Sequence, residues 1–212
     1  MSNPGLQVLA KTVGPMDNNC CAVIDHEQGV GVFVDPSFGS TELLQEIPES
    51  VRIEWVLLTH GHFDHVAQAS AIIRATGARL AMHRGDLGLL EKASEMAAAF
   101  GLRVETPPEP NCYLDHGQTI TIGGGEIRVV HTPGHSPGGI CFLLEGIAIV
   151  GDVLFNGSIG RTDLPGGDHA TLLQSIRQEL LSLPDHTRVL PGHGMQTTIG
   201  EERSSNPFIA GL

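Results

Sequence analysis

Thr59-His60-Gly61-His62-Phe63-Asp64-His65 lies at the end of the short apolar run Ile53–Thr59, and its reading decides the rest of the chain. The run reads as a buried strand that leaves the sheet through a glycine turn. His60 and His62 are two apart, so on an extended segment their side chains point the same way. Asp64 and His65 follow as the chain turns into a helix, and they can face a second position. Imidazole suits Zn, Fe or Mn, and a carboxylate can bridge two cations.

Three later segments repeat the design of a short apolar strand stopping at a turn that carries His or Asp. They are Thr132-Pro133-Gly134-His135, Gly151-Asp152 and Pro191-Gly192-His193. Strand ends hold side chains rigidly at a sheet rim, and the surrounding Gly and Pro residues make tight turns. A lone HxH says little. HxHxDH followed in order by TPGH, GD and PGH is specific, because five incidental buried histidines would each need a polar partner. Together His60, His62, Asp64, His65, His135, Asp152 and His193 suit a binuclear metal site with room for water.

Outward from these segments, Val30–Val34 reads as a strand ending at Asp35-Pro36. Val66, Ala69, Ile72, Ile73 and Thr76 recur at helical spacing, with Gly77 as the stop. Arg79–Met82 predicts a strand, and Asp86–Phe100 a helix capped at Gly101. After the proline-rich loop 106–110 come strands at Thr119–Ile122, Glu126–Val130, Ile140–Leu144 and Ile147–Val150. A helix N-capped by Asp168 and a strand at Arg188–Leu190 complete the series. This order predicts one α/β domain over residues 1–212, layered α/β/β/α.

Composition narrows the function. Twenty-four acids against 12 bases give a formal charge of −12, with no Lys/Arg cluster. Nucleic acid, which binds through a basic surface, is therefore not an expected partner. No apolar run approaches the ~18–20 residues of a membrane span. The opening MSNPGLQVLAKTVGP lacks the basic and apolar regions of a secretory signal, so the expectation is a cytoplasmic protein with no membrane partner. Cys20, Cys21, Cys112 and Cys141 form no CxxC pattern and read as reduced, partly buried thiols. Among the other histidines, His131 reads as bracing the turn before His135, His83 as structural, and Asp35 as a buried turn carboxylate.

On the ligand segments the chain resembles the metallo-β-lactamase superfamily over nearly its whole length. It most resembles the short bacterial branch of glyoxalase II-like hydrolases. That closer likeness rests on Gly151-Asp152-Val153-Leu154-Phe155, on Gly160-Arg161-Thr162-Asp163-Leu164-Pro165-Gly166-Gly167-Asp168, and on Glu202-Arg203-Ser204-Ser205-Asn206-Pro207-Phe208. The resemblance implies an αββα sandwich with His60, His62 and His135 on one metal, Asp64, His65 and His193 on the other, and Asp152 bridging. It implies two divalent ions, zinc first and iron or manganese as alternatives. It also implies hydrolysis of S-(2-hydroxyacyl)glutathione, such as S-lactoylglutathione, by a hydroxide shared between the metals, with Asp64 orienting it. Arg161 aligns with a basic position that binds the glycine carboxylate of glutathione. A surface pair with Asp163 or Asp168 is the plainer reading of that residue. Longer relatives continue into a helical domain that binds glutathione, whereas this sequence ends at Leu212. Thioester hydrolysis is thus implied more firmly than glutathione.

The persulfide dioxygenases, which use a single iron, are also similar and form the runner-up reading. A scaffold protein has no need of seven ligands, a β-lactamase acts outside the cytoplasm, and an RNA nuclease needs a basic surface. Oligomeric state is left open by the sequence.

Overall fold

The computed structural model describes residues 5–210; residues 1–4 and 211–212 of the expected 1–212 domain lie outside the described residues. Two six-stranded sheets form its centre. The first contains β1 (Leu6–Val13), β2 (Asn18–Asp25), β3 (Val30–Val34), β4 (Arg52–Leu57), β5 (Arg79–Met82) and β6 (Cys112–Tyr113), side by side in that order. The second contains β7 (Thr119–Ile122), β8 (Gly125–His131), β9 (Ile140–Leu144), β10 (Ile147–Gly151), β13 (Arg188–Pro191) and β14 (Thr197–Thr198), ordered β14-β13-β10-β9-β8-β7. A two-stranded ribbon, β11 (Leu154–Phe155) and β12 (Ser158–Ile159), follows β10.

Three apolar layers separate four layers of structure. Cys21, Val23, Val32, Val34 and Leu57 of the first sheet meet Ile122, Ile127, Val129, Phe142 and Ile149 of the second. The alternate residues of the first sheet, Cys20, Ala22, Ile24, Phe33 and Val56, face the opposite way. They pack under α1 (Thr41–Glu46), α2 (Phe63–Val66), α3 (Ala69–Thr76), α4 (Leu87–Glu91) and α5 (Ala93–Ala99). On the far side, Val130, Cys141, Ala148 and Val150 pack under α6 (His169–Ser175), its π-helical continuation Ile176–Leu180, and α7 (Ile199–Ser205). Strands covered on both faces need apolar residues at consecutive positions, which is why these strands read as runs rather than alternations. The expected αββα architecture is the one observed.

The differences from expectation are local. The helix expected over Asp86–Phe100 is broken. A 3₁₀ turn at Arg84–Asp86 leads into α4, and α4 and α5 meet at Lys92, whose φ of −93° and ψ of 3° lie outside the helical region. The helix expected around Val66–Thr76 starts earlier, at Phe63, and is interrupted at Gln68. β1 and β2 were not among the expected strands. Among the described residues, none of the helices is long and apolar enough to cross a membrane.

At one rim the two sheets are joined directly. The Ile140 amide donates to the Thr59 carbonyl (2.8 Å), tying the end of β4 to β9. The Asn19 amide donates to the Gly192 carbonyl (2.7 Å), tying β2 to the end of β13. All the turns carrying the ligand-type residues open onto this rim.

Candidate metal centre

Seven side chains converge there. His60, His62 and His135 place one ring nitrogen each within 4.8 Å of one another, and Asp64, His65 and His193 form a second such group. Asp152 lies between the groups. Its carboxylate is 3.3 Å from His65 Nε2, 3.6 Å from His135 Nε2 and 3.7 Å from His193 Nε2. His193 Nε2 is 3.2 Å from Asp64 Oδ2. Two donors, each ~2.0–2.1 Å from one ion at a tetrahedral angle, lie roughly 3.3 Å apart, so these separations are those of atoms sharing a cation.

Three of the converging atoms, His60 Nε2, His65 Nε2 and Asp152 Oδ1, are buried without a hydrogen-bond partner among the described residues. His65 Nε2 and Asp152 Oδ1 face each other at 3.3 Å but lack hydrogen-bond geometry. Orphaned buried polar atoms each cost about 1–3 kcal/mol. A cation would satisfy them, so the residues present fit the metals that the sequence implied.

In four of the five histidines the other ring nitrogen has a partner outside the cluster. His65 Nδ1 donates to Asp35 Oδ2 (2.9 Å), His135 Nδ1 to the Arg161 carbonyl (2.8 Å) and His193 Nδ1 to the Met16 carbonyl (3.0 Å). His60 Nδ1 donates to Thr59 Oγ1 (3.0 Å), which itself donates to Asp35 Oδ2 (2.6 Å). Such outer contacts fix the tautomer and aim the free nitrogen inward. Asp35 also accepts from the Thr59 amide (2.7 Å), so one buried carboxylate orients both His60 and His65. It does so from a left-handed backbone (φ 48°), a strained state that the surrounding bonds hold in place. Although Asp35, His60 and His65 are close enough to count as a third group, Asp35's bonds make it an orienting residue.

Electrostatics divide the cluster. Burial, reinforced by neighbouring imidazoles, lowers His60 well below the usual histidine range and His62 to about 4. Both therefore present neutral nitrogens at pH 7. Burial pushes His65 the same way, but Asp152, Asp64 and Asp35 outweigh it and raise it well above the ordinary value. Conversely, burial would raise Asp64 and Asp152, yet the histidines around them hold both below the carboxylate range. Two buried carboxylates kept ionised draw positive charge into the site.

Gly192 explains its own place in Pro191-Gly192-His193. A Cβ there would fall on Asp152 Oδ1 and within 2.6 Å of His65 Cε1. A cavity of about 450 Å³ opens over the cluster, and Arg161 lines it. The Arg161 guanidinium is exposed and makes a two-pronged pair with Asp163 (2.7 Å for each bond).

Four residues that matter here were not singled out by sequence. Asn18, wholly buried, donates from Nδ2 to Asp64 Oδ2 (2.9 Å). Asp86, also wholly buried, accepts from the Gly61 and Gly138 amides and from Ser136 Oγ, and so joins the two histidine turns. Thr59 relays Asp35 to His60. Glu202 accepts from the Gly157 amide (2.9 Å) and from Asn206 (2.7 Å), anchoring the β11–β12 ribbon at the cavity wall. A carboxylate three residues past a Thr was available as a sequence signal for the capping box at Thr198 and Glu201 that starts α7. No such local signal marks Asn18 or Asp86.

Other expectations sort plainly. His131 Nε2 donates to the Pro137 carbonyl (2.9 Å) and stacks on His83, which itself caps the Arg84–Asp86 turn. Neither belongs to the cluster. All four cysteines are free, and Cys112 is exposed because it sits on a two-residue edge strand. Burial pushes the Cys20 thiol to about 11 and that of Cys141 to about 12, so neither offers a thiolate.

The family model described as "Metallo-beta-lactamase superfamily" matches residues 15–193. The chain is 38% identical to "Hydroxyacylglutathione hydrolase GloC" of Haemophilus influenzae, over 93% of this chain and 95% of that one. Among solved structures, TTHA1623 "in a di-iron-bound form" is similar with a TM-score of 0.86 and 39% identity, covering 94% of this chain and 99% of its own. The BLEG-1 B3 metallo-beta-lactamase is similar with a TM-score of 0.89 and 35% identity, covering 97% and 100% respectively.

Proposed function

The chain belongs to the metallo-beta-lactamase superfamily, and on that premise we propose that it is a binuclear thioester hydrolase of the glyoxalase II type, acting on S-(2-hydroxyacyl)glutathione. The position of Asp152 between two three-residue groups carries this reading, supported by the similarity to the H. influenzae hydrolase. In it His60, His62 and His135 hold one ion, Asp64, His65 and His193 hold the second, and Asp152 spans both.

Divalent ions held there supply a water acidic enough to be hydroxide near pH 7, together with positive charge for a developing oxyanion. The chain's own part is to bind and orient. Asn18 donates to the Asp64 carboxylate and fixes it where it could align an attacking water. Asp35 and Thr59 keep the free nitrogens of His60 and His65 pointed inward. Burial of the cluster keeps bulk water from screening these charges. Zinc is the first assignment. Iron suits the same nitrogen and oxygen donors, and TTHA1623 carries a di-iron form.

Elemental analysis of protein purified without metal limitation should give about two transition-metal ions per chain. A plateau at one ion would turn the reading toward a mono-iron dioxygenase.

The metal-loaded protein should cleave S-lactoylglutathione under anaerobic conditions. Oxygen uptake on glutathione persulfide with the thioester left intact would overturn the hydrolase reading. Because of the similarity to BLEG-1, the same batch is to be offered a cephalosporin. Cleavage of the lactam alone would replace the thioester with an amide substrate.

Arg161 is assigned to a carboxylate of the thiol carrier. That contact requires the Asp163 pair to open, so Arg161→Ala should raise KM only severalfold with kcat kept. An unchanged KM returns Arg161 to its surface pair.

A further inference from the structure

We infer that the cavity over the cluster selects a bulky apolar acyl group, preferably aromatic, and that Phe100 and Met96 are the residues that select it; this rests on the thioesterase reading above. Phe100 is 63% exposed and lines the cavity together with other apolar side chains, a contiguous apolar surface of the kind that marks ligand sites. Its ring lies 5.2 Å from that of Phe63, which stands between His62 and Asp64. Met96, four residues before Phe100 and so on the same helical face, lines the cavity with it.

Met16, Phe155 and Leu164 also line the cavity. Met16 is the residue whose carbonyl holds His193, and the Phe155 ring is 6.5 Å from that of His193. Apolar side chains therefore stand near His193 as well as beside Phe63.

Charge offers little with which to select. Arg161 is the one Arg or Lys among the described residues lining the cavity, and Asp163 occupies its guanidinium. Contact area and shape remain. About 450 Å³ lies within the range of small-molecule sites and leaves room for a ring beside the reacting carbonyl. A 2-hydroxypropanoyl group offers this lining a single methyl. A 2-hydroxy-2-phenylacetyl group would bury its ring against Phe100, and a thioether such as Met96 adapts to a flat face.

The test compares both acyl groups on one small uncharged thiol, N-acetylcysteamine, with the metal-loaded protein. The expected kcat/KM for the aryl thioester is ~10–100-fold above that for the 2-hydroxypropanoyl thioester. The ratio should fall to a few-fold in Phe100→Ala and in Met96→Ala. Comparison with the variants cancels the intrinsic reactivities of the two esters, and Phe100 is exposed enough for its variant to fold. A ratio near one in the unaltered protein, or a ratio unmoved in both variants, overturns the inference.

Binding gives a readout without turnover. A non-hydrolysable thioether bearing a 2-hydroxy-2-phenylethyl group should bind more tightly than its 2-hydroxypropyl counterpart by calorimetry, and the difference should vanish in Phe100→Ala. Equal binding overturns the inference. Tighter aryl binding with neither thioester cleaved would sink the thioesterase reading and leave the apolar pocket standing.

Discussion

Asp152→Ala should lower thioester turnover by about 10³-fold or more while leaving the far-ultraviolet spectrum of the folded protein in place. Among the described residues its carboxylate is the one group that approaches His65, His135 and His193 together, so it lies between both halves of the cluster. Removing it leaves each half with its own three donors but without a shared anion. A factor of 10³ corresponds to about 4 kcal/mol of lost transition-state stabilisation, the order expected when a preorganised charge is deleted from a buried site. The metal content should fall toward one ion per chain. Near-normal kcat in a folded variant would show that Asp152 does not bridge.

The second large effect is on stability. Asp86→Ala should cost about 3–5 kcal/mol, because it strands three buried donors at once. Of a total stability of about 5–15 kcal/mol, that is enough to threaten folding at physiological temperature. Denaturant titration measures it as a drop in midpoint at constant slope. Because Gly61 lies between His60 and His62, and Ser136 follows His135, activity should also fall about 10–100-fold in protein that remains folded. Asp86→Asn, which keeps an acceptor, should recover part of both losses. A change in stability below about 1 kcal/mol would mean that water replaces the carboxylate.

These two residues show where sequence reading succeeds and where it stops. Asp152 was legible because it follows an apolar strand and stands beside a glycine, in order with three other such turns. The strands around it were legible for the same reason: burial on both faces leaves apolar runs that end at Gly or Pro. Asp86 was read only as the start of a helix. What makes it matter is three donors from Gly61, Ser136 and Gly138, the farthest of them 52 residues away along the chain. Asn18 is similar. In Asn18-Asn19-Cys20-Cys21 nothing local distinguishes it, and its partner Asp64 is 46 residues distant. Asp35 was placed correctly as a buried turn carboxylate, but its bonds to Thr59 and His65 could not be inferred from its neighbours. Metal-type donors carry their chemistry in residue type and spacing, whereas the residues that aim them carry it in tertiary contact. The missed β1 is another case: an edge strand of mixed polarity gives a weak pattern, and its pairing with β2 supplies what the pattern lacks.

The hydrogen bonds that join the two sheets at the rim have a consequence for how the protein forms. Asn18 and His193 meet across 175 residues, so closing that contact requires most of the chain to be in place. Contacts of such sequence separation carry a large loop-closure entropy and form late in folding. The first histidine turn, at 60–65, and the last, at 193, therefore cannot cooperate as ligands in a partly folded chain. On the binuclear reading proposed above, a nascent or partially unfolded molecule would present separate donor groups, and only completion of the topology would join them. On that reading, retention of both ions would report on the integrity of the whole fold, and a lesion far from the rim that delays docking of the final strands would be seen first as lost metal.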